Sequence, residues 1–314
     1  MNKITSFFKL IRCTNLLMIA IMMLLVYYCL MSPLFMIDIV GIMPLYPAFV
    51  LLLLSMIFIV AGGYIINDIF DVEIDRINKP DKLLITNAFS YKDAKLFYGI
   101  LTSVGLTCGL ISSVLILGMK FYLLFLILVL LVCLLYSYSA NYKKKMIIGN
   151  LIVSLSVSFA VFLPWLFEVL YLSNNTLILY AVKDTMLSIL PFVLIYTVFA
   201  FMMTLLREIV KDAEDYKGDI ITHCRTIPIV YGIRKMNIML IILTLLIWLI
   251  LLYYMIILLR IKSYITLGIM FVIWNTLPFS IFQLSQKGSD INYHNYSVFL
   301  KILMLFGILS MLFI

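Results

Sequence analysis

Charged residues are scarce in this chain of 314 residues. Asp, Glu, Lys and Arg together make up 12% of it, while 65% of it is hydrophobic. Soluble domains usually have roughly a quarter of their residues charged and about half apolar. This composition therefore excludes a soluble globular protein of the ordinary kind.

Histidine and paired cysteine are also rare. The two histidines, His223 and His294, are too few and too far apart in sequence for a zinc site of the usual type. The five cysteines include no C-x-x-C pair, and we expect them to pack as small hydrophobic side chains. No glycine- or serine-rich linker divides the chain, which favours a single domain over residues 1–314.

Long apolar runs dominate the sequence instead, and runs of this length indicate transmembrane helices. The first run is longer than the apolar part of a signal peptide, so we expect it to be retained as a helix. The sequence predicts an all-α, polytopic integral membrane protein with nine transmembrane helices, at approximately 14–35, 46–67, 94–117, 121–140, 147–170, 188–208, 236–258, 265–284 and 297–314.

The distribution of basic residues predicts the orientation. With the N-terminus in the cytoplasm, 19 of the 23 Lys and Arg lie on the cytoplasmic side, as the positive-inside rule requires. The net charge of +8 is then a consequence of topology. Because no basic face is interleaved with exposed aromatic residues, nucleic acid is not an expected partner, and membrane lipid is. We expect the plasma (inner) membrane as the location.

Acidic residues are concentrated in two segments, 68–81 and 208–219, which hold ten of the fifteen carboxylates. Asn67, Asp71 and Asp75 recur at i, i+4 and i+8 and thus share one face of a helix that Pro80 would end. Like charges on one face repel each other unless a cation lies between them.

The second acidic segment repeats this pattern, with Asp212, Asp215 and Asp219 at i, i+3 and i+7. Mg²⁺ usually binds one or two carboxylates and takes its other ligands from water and substrate phosphates. A solvated helix end is the simpler interpretation of one such segment. Two matched segments on the same predicted side favour a site for Mg²⁺ and a diphosphate.

Basic residues flank both acidic segments and would balance the charge of a diphosphate leaving group. The positive-inside rule alone also explains most of them. The basic residues concerned are Arg76, Lys79, Lys82, Lys143, Lys144, Lys145, Arg207, Lys211 and Arg225.

Both acidic motifs resemble those of a known family. The string NDIFDVEID (67–75) resembles the N-D-x-x-D-x-x-x-D motif of the UbiA superfamily of intramembrane prenyltransferases, and DYKGD (215–219) resembles its second motif, D-x-x-x-D. The strings at 67–82, 135–150 and 207–232 are most similar to the branch that joins a geranylgeranyl chain to geranylgeranylglyceryl phosphate, forming an ether lipid. Lys82 stands where that branch usually has Arg, so it would contact a diphosphate only as a point charge.

The resemblance implies Mg²⁺-dependent transfer of a polyprenyl group from its diphosphate, with the active site facing the cytoplasm. Asn67, Asp71 and Asp75 would bind one Mg²⁺, and Asp215 and Asp219 a second, with Asp68 and Asp212 as additional ligands. Arg76, Lys82, Lys143, Arg207 and Lys211 would bind the diphosphate.

Other residues are assigned to the organic parts of the substrates. Tyr136 is the leading candidate among aromatic side chains that would shield an allylic cation, although tyrosines are also common at membrane interfaces. The further aromatic candidates are Tyr64, Phe70 and Tyr138. Arg12 and Asn15 match a polar pair of the family and would bind the acceptor, although Arg12 also fits a topology anchor. Asn150 matches another family string and is a further substrate-binding candidate.

Two alternatives remain open. A related enzyme would transfer the prenyl group to an aromatic ring acceptor, as in quinone biosynthesis, or to a porphyrin. A transporter would place charged residues near the middle of the membrane. The centres of the predicted helices are nearly free of ionisable groups, which favours an enzyme.

Overall fold

The computed structural model of the chain is built almost entirely of α-helices. It describes residues 3–35, 46–78, 80, 83–143, 145–174, 176–221, 224–285 and 292–314, without the side chains of residues 35, 46, 78, 217 and 280–285. Thirteen α-helices and one two-stranded parallel sheet lie within these residues. The predicted all-α class is confirmed.

The helices are numbered in chain order. They are α1 (Lys3–Leu10), α2 (Cys13–Leu25), α3 (Ser32–Phe35), α4 (Tyr46–Asn78), α5 (Tyr91–Leu117), α6 (Tyr122–Ser137), α7 (Ile148–Leu172), α8 (Thr176–Glu214), α9 (Tyr216–Ile221), α10 (Ile227–Tyr231), α11 (Ile233–Arg260), α12 (Tyr264–Ser285) and α13 (Tyr293–Leu309). Short π-helical turns, Val26–Leu30 and Tyr138–Tyr142, follow α2 and α6. The strands are β1 (Lys145–Met146) and β2 (Arg225–Thr226).

Eight helical stretches in the described residues are long and apolar enough to cross a membrane, and each coincides with a predicted run. The ninth predicted run, 265–284, lies in α12, whose described apolar part, Tyr264–Phe279, is shorter. The count of nine therefore stays a prediction, as does the cytoplasmic N-terminus. The eight stretches are Cys13–Leu34, Pro47–Ile77, Tyr91–Lys120, Tyr122–Tyr142, Ile148–Leu172, Thr176–Glu214, Ile233–Arg260 and Tyr293–Phe313.

Helix α8 is longer than the apolar run that predicted it. The run began at residue 188, whereas the helix begins at Thr176 and continues to Glu214. Lys183 and Asp184 lie exposed on its first part, so hydropathy alone did not include that part in the predicted run. Part of what the sequence suggested was a loop is therefore helical.

The chain divides into two compact units. The first comprises Met1–Tyr142 and Phe162–Pro191, and the second comprises Lys143–Val161 and Phe192–Ile314. The first acidic motif belongs to the first unit and the second motif to the second. The single domain over residues 1–314 stays a prediction.

In the first unit, α4 packs closely against α5. A methyl group at Gly105 would lie only 3.1 Å from the backbone of Ser55 and Ile59, so α5 approaches α4 there more closely than most side chains allow. Ser112 of α5 also donates a hydrogen bond of 2.7 Å to the carbonyl of Ala48. These contacts fix the helix that carries the first acidic motif.

An apolar cluster stabilises the acidic end of α4. Tyr91, the first residue of α5, donates a hydrogen bond of 2.7 Å to the carbonyl of Ile69. Ser90 and Asp93 form a capping box that begins α5 at this point. The cluster consists of buried Leu10, Ile65, Ile66, Ile69, Val72, Ile85, Phe89 and Ala94.

In the second unit, a short parallel strand pair joins two polar segments. Lys145 pairs with Arg225, and Met146 pairs with Thr226. The segment that follows Lys143 is thereby connected to the segment that follows the second acidic motif. Basic residues at both positions fit the expectation that charge collects beside this motif.

Candidate active site

Three carboxylates of α4 form a compact group. One oxygen each of Asp68, Asp71 and Asp75 lies within 4.8 Å of the others, and this is the one group of three potential metal ligands in the described part of the chain. Asp71 is buried, with 3% of its surface exposed. Because like charges this close repel each other, the arrangement favours a bound cation.

Asn67 supports this group from one turn before Asp71. Its side-chain amide donates a hydrogen bond of 2.6 Å to Oδ2 of Asp71. Its own oxygen, Oδ1, is buried and has no hydrogen-bond partner. An unpaired buried oxygen beside three carboxylates is the ligand chemistry that Mg²⁺ prefers, so these residues fit the ion that the sequence predicts.

The structure brings Asp68 into the carboxylate group, although the sequence suggested only an additional role for it. Asp68, Asp71 and Asp75 stand at i, i+3 and i+7, which is one helical face. Helix α4 continues through all of them to Asn78, two residues before Pro80, as expected from the sequence. Arg76 lies exposed in the last turn of α4, and Lys82 lies outside the described residues.

Arg12 contacts this group from the junction of α1 and α2. Its Nη2 lies 2.7 Å from Oδ1 of Asp68, and its guanidinium lies 4.8 Å from the centre of the Tyr64 ring. Burial opposes the charge of Arg12, but Asp68 and Tyr64 favour it more, so the pKa of Arg12 is raised above its ordinary value. Asn15 follows in α2, half-buried, and its backbone N–H donates to the carbonyl of Arg12.

Aromatic side chains of the first unit lie beside the same turn of α4. The Tyr136 ring, 45% exposed, meets Phe70 edge to face at 6.0 Å and Tyr98 at 6.5 Å. Phe70 stands between Asp68 and Asp71 in sequence and is itself partly exposed. Tyr136 thus contacts α4 through Phe70, and its role in shielding a cation stays a prediction.

The second acidic motif is interrupted by a bend at Asp215. Helix α8 ends at Glu214 and α9 begins at Tyr216, so Asp212, Asp215 and Asp219 do not lie on one uninterrupted helix, and their shared face stays a prediction. Backbone hydrogen bonds still connect Asp215 to Lys211 and Asp219 to Asp215. Asp219 is buried and Asp215 is half-buried.

Asn150 and Asp212 form a contact between two helices of the second unit. The amide of Asn150, near the start of α7, donates a hydrogen bond of 2.8 Å to Oδ2 of Asp212, near the end of α8. Asn150 is buried, with 8% of its surface exposed. Its amide therefore orients a carboxylate of the acidic motif.

Glu208 is a residue of this region that the sequence did not single out. Lys211 contacts both of its carboxylate oxygens, at 2.9 and 3.0 Å, and Arg207 contacts one of them at 3.3 Å. Glu208 is largely buried. In the sequence, the spacing of three residues between Glu208 and Lys211 could have predicted this ion pair.

Lys143, another predicted substrate-binding residue, lies half-buried just before β1.

Glu168 is a second residue that the sequence did not single out. It lies fully buried in α7, and neither carboxyl oxygen has a partner in normal hydrogen-bond geometry, although Tyr27 lies beside it. The helix interiors therefore contain at least one ionisable group. Glu168 is a single carboxyl and does not belong to a group of three carboxylates such as the one on α4.

Several curated relatives share one name. Digeranylgeranylglyceryl phosphate synthase of Methanosphaera stadtmanae is 32% identical over 257 residues, which is 81% of this chain and 83% of that one. The synthase of Saccharolobus solfataricus is 34% identical over 177 residues, or 56% of this chain and 54% of that one. The chain thus spans about half the length of several of the relatives that it matches.

Solved structures have the same fold. The structure of digeranylgeranylglyceryl phosphate synthase in membranes superposes with a TM-score of 0.60 at 26% identity, covering 99% of this chain and 98% of that one. A UbiA homologue from Archaeoglobus fulgidus bound to DMAPP and Mg²⁺ has a TM-score of 0.59 at 16% identity, with 98% and 99% covered. At 16% identity, the similarity to the Archaeoglobus fulgidus protein shows the fold alone.

The family assignment agrees with the motifs. The model of the UbiA prenyltransferase family matches residues 40–303, a range that includes both acidic motifs. The resemblance inferred from the two motifs is confirmed. Because this match extends over much more than half of the sequence, the chain belongs to the UbiA prenyltransferase family.

Proposed function

We propose that this protein transfers a polyprenyl group, geranylgeranyl, from its diphosphate to geranylgeranylglyceryl phosphate in a Mg²⁺-dependent reaction. The observation that carries the proposal is the acidic turn of α4, with three clustered carboxylates and an unpaired buried amide oxygen. The family supports the reaction class. The shared name of the relatives supports the acceptor.

The residues that would bind the metal belong to both acidic motifs. Asn67, Asp71 and Asp75, with Asp68, would bind one Mg²⁺. The second ion would be bound by Asp215, Asp219 and Asp212. Bound Mg²⁺ would neutralise charge on the diphosphate and so assist cleavage of the allylic C–O bond. That a UbiA homologue has been solved with DMAPP and Mg²⁺ supports the pairing of Mg²⁺ with a prenyl diphosphate.

Basic side chains have the role of compensating the remaining charge of the leaving group. Arg76, exposed at the end of α4, and Lys82 would contact the diphosphate from the first motif. Lys143, Arg207 and Lys211 are the other basic residues proposed to contact it. Glu208 holds Arg207 and Lys211 close to the end of α8, which limits their conformations before the substrate binds.

Tyr136 and Phe70 have the role of excluding water from the reacting carbon. Aromatic faces attract cations, and the edge-to-face contact with Phe70 holds the Tyr136 ring against α4, from where it would shield the allylic cation. The hydroxyl of the acceptor forms the new ether bond to the allylic carbon, the diphosphate leaves, and the hydroxyl proton is released. Arg12 and Asn15 are the proposed polar contacts of the acceptor, and Asn150 would act through Asp212.

The location follows from composition and charge. The protein is integral to a membrane, and we propose that its active site lies on the cytoplasmic face of the plasma (inner) membrane, because 19 of the 23 basic residues would lie on that side with nine helices and a cytoplasmic N-terminus. A donor and an acceptor with long isoprenoid chains would both reach such a site from the lipid phase.

A competition between acceptors tests the proposal. Purified protein in lipid nanodiscs receives geranylgeranyl diphosphate, Mg²⁺ and an equimolar mixture of geranylgeranylglyceryl phosphate, a hydroxybenzoate and a dihydroxynaphthoate. Mass spectrometry of the extract should detect the doubly prenylated glyceryl phosphate as the main product. Preference for an aromatic acid would assign the protein to quinone biosynthesis, and transfer to none of them would contradict the proposal.

A further inference from the structure

Arg12 has an unusual setting for a residue that is expected to bind substrate. Its guanidinium is engaged within the protein, 2.7 Å from Asp68 and above the ring of Tyr64. Asp68 is also one of the three clustered carboxylates of α4. Arg12 and a divalent ion would therefore compete for the same acidic side chain.

The backbone keeps Arg12 in this place. Its φ and ψ of 53° and 54° are left-handed, a conformation that residues other than glycine rarely adopt. Backbone strain of this kind persists when the surrounding structure imposes it, and it collects at functional sites. Leu10, two residues earlier, is fully buried in the apolar cluster around Ile65 and Ile69 of α4. The junction of α1 and α2 is thus anchored to the helix that carries Asp68.

We propose that Arg12 is a positioning residue that holds Asp68 in the metal-free protein and exchanges this partner when a divalent ion binds the acidic turn. The inference rests on the metal-binding role of this turn in the proposed function. In the metal-free protein, Arg12 offsets the repulsion between Asp68 and its neighbours Asp71 and Asp75. When Asp68 binds the ion, the guanidinium is released.

The released guanidinium is then available to a phosphate. Arginine binds phosphate oxygens in a bidentate manner, and its planar group remains charged at any physiological pH. The ring of Tyr64 keeps it close to the acidic turn in the meantime. Metal binding is thereby coupled to phosphate binding through Asp68, and a phosphate-bearing substrate meets a free Arg12 only after the ion has bound.

Metal affinity without substrate tests this exchange. Mn²⁺ replaces Mg²⁺ as the probe, and its binding to the full-length protein in nanodiscs is followed by electron paramagnetic resonance. Arg12→Gln should raise the Mn²⁺ affinity roughly fivefold, the equivalent of an ion pair of about 1 kcal/mol that no longer competes. An unchanged or lower affinity would overturn the proposal.

A double mutant separates direct competition from a general change of charge. In an Asp68→Asn background, Arg12→Gln should leave the Mn²⁺ affinity nearly unchanged, because the shared partner is gone. An equal increase in both backgrounds would show that Arg12 acts only through its charge and would overturn the exchange. Lys92→Gln removes one positive charge from an exposed position of α5 in the same unit and serves as the matched control.

The wild-type protein provides a readout that does not depend on the folding of any variant. Phenylglyoxal labels accessible arginines, and peptide mass spectrometry identifies the labelled residue. Labelling of Arg12 should increase severalfold when Mn²⁺ is added and decrease when inorganic pyrophosphate follows. Labelling that is insensitive to Mn²⁺ would contradict the exchange. None of these metal-binding and labelling experiments contains a prenyl donor. Their outcomes therefore do not depend on whether the proposed acceptor is correct.

Discussion

Asn67 donates its side-chain amide to Asp71 across one turn of α4 at 2.6 Å, and this bond leaves the other amide atom, Oδ1, buried without a partner. An unpaired buried oxygen is destabilising by about 1–3 kcal/mol. A bound cation that accepts Oδ1 as a ligand would remove this penalty. The pair therefore orients one metal ligand and supplies a second.

Replacement of Asn67 should affect metal binding more than folding. Asn67→Ala removes both the donor to Asp71 and the unpaired oxygen, so we expect metal affinity and prenyl transfer to fall by roughly 10–100-fold, as for residues that orient metal ligands. Manganese titration and initial rates measure this. Asn295→Ala, at an exposed position of α13, is the control and should have little effect on either quantity. Equal effects of both variants would contradict the role of Asn67.

Asp71 should be the most sensitive carboxylate of the first motif, because it is the most buried of the three. Asp71→Asn keeps the shape and removes the charge that neutralises the cation, and we expect a loss of prenyl transfer on the order of a thousandfold. The variant should remain folded and inserted. Asp184→Asn changes an exposed carboxylate of α8 and should retain activity. An Asp71→Asn protein with wild-type rates would exclude a metal ligand here.

Asn150 should contribute through its contact with Asp212. Asn150→Leu preserves side-chain volume but leaves the Asp212 oxygen without its 2.8 Å donor, which should destabilise the protein by about 1 kcal/mol. Thermal unfolding in nanodiscs measures the loss. Added Mg²⁺ and pyrophosphate should restore part of it if Asp212 also contacts the metal. Asn150→Asp, which places two carboxylates together, should destabilise more than Asn150→Leu.

Two glutamates of α8 provide a matched comparison. Glu208 is largely buried and contacts Lys211 and Arg207, whereas Glu214 contacts His294 at 3.0 Å in a pair whose histidine is mostly exposed. Glu208→Gln should lower the unfolding temperature, and Glu214→Gln should change it little, because exposed ion pairs contribute only about 0–1 kcal/mol. The reverse order of unfolding temperatures would contradict the role assigned to Glu208.

The aromatic face of Tyr136 should matter more than its hydroxyl. Tyr136→Phe preserves the ring that meets Phe70 at 6.0 Å and should retain most of the activity. Tyr136→Leu removes the ring and should lower the transfer rate and increase hydrolysis of the prenyl diphosphate by water. Product analysis separates the prenylated acceptor from the free prenol. Equal loss in both variants would indicate a role for the hydroxyl instead.

Local patterns in the sequence predicted the first motif well. The position of Asn67, Asp71 and Asp75 on one helical face follows from spacing alone, and α4 indeed continues through them to Asn78. Long apolar runs located eight helical stretches for the same reason, since composition within one segment determines them. Contacts between distant segments were not accessible in this way.

The remaining features depend on tertiary packing. Arg12 meets Asp68 across 56 residues and Asn150 meets Asp212 across 62, and no local pattern connects such positions. The bend at Asp215 interrupts a spacing that looks continuous in the sequence. Because Lys183 and Asp184 are charged, the search for apolar runs did not predict the first part of α8. The unpaired oxygen of Asn67 is evident only once the orientation of its amide is known.

Prenyl transfer should stop when the divalent ion is removed and resume when it is restored. Wild-type protein in nanodiscs, geranylgeranyl diphosphate and geranylgeranylglyceryl phosphate are combined in excess EDTA, and product is measured before and after Mg²⁺ is restored. We expect no product in EDTA and full recovery of product formation with Mg²⁺. Product formation should not recover for Asp71→Asn or Asp215→Asn. Undiminished transfer in EDTA, or by either variant, would contradict this metal dependence.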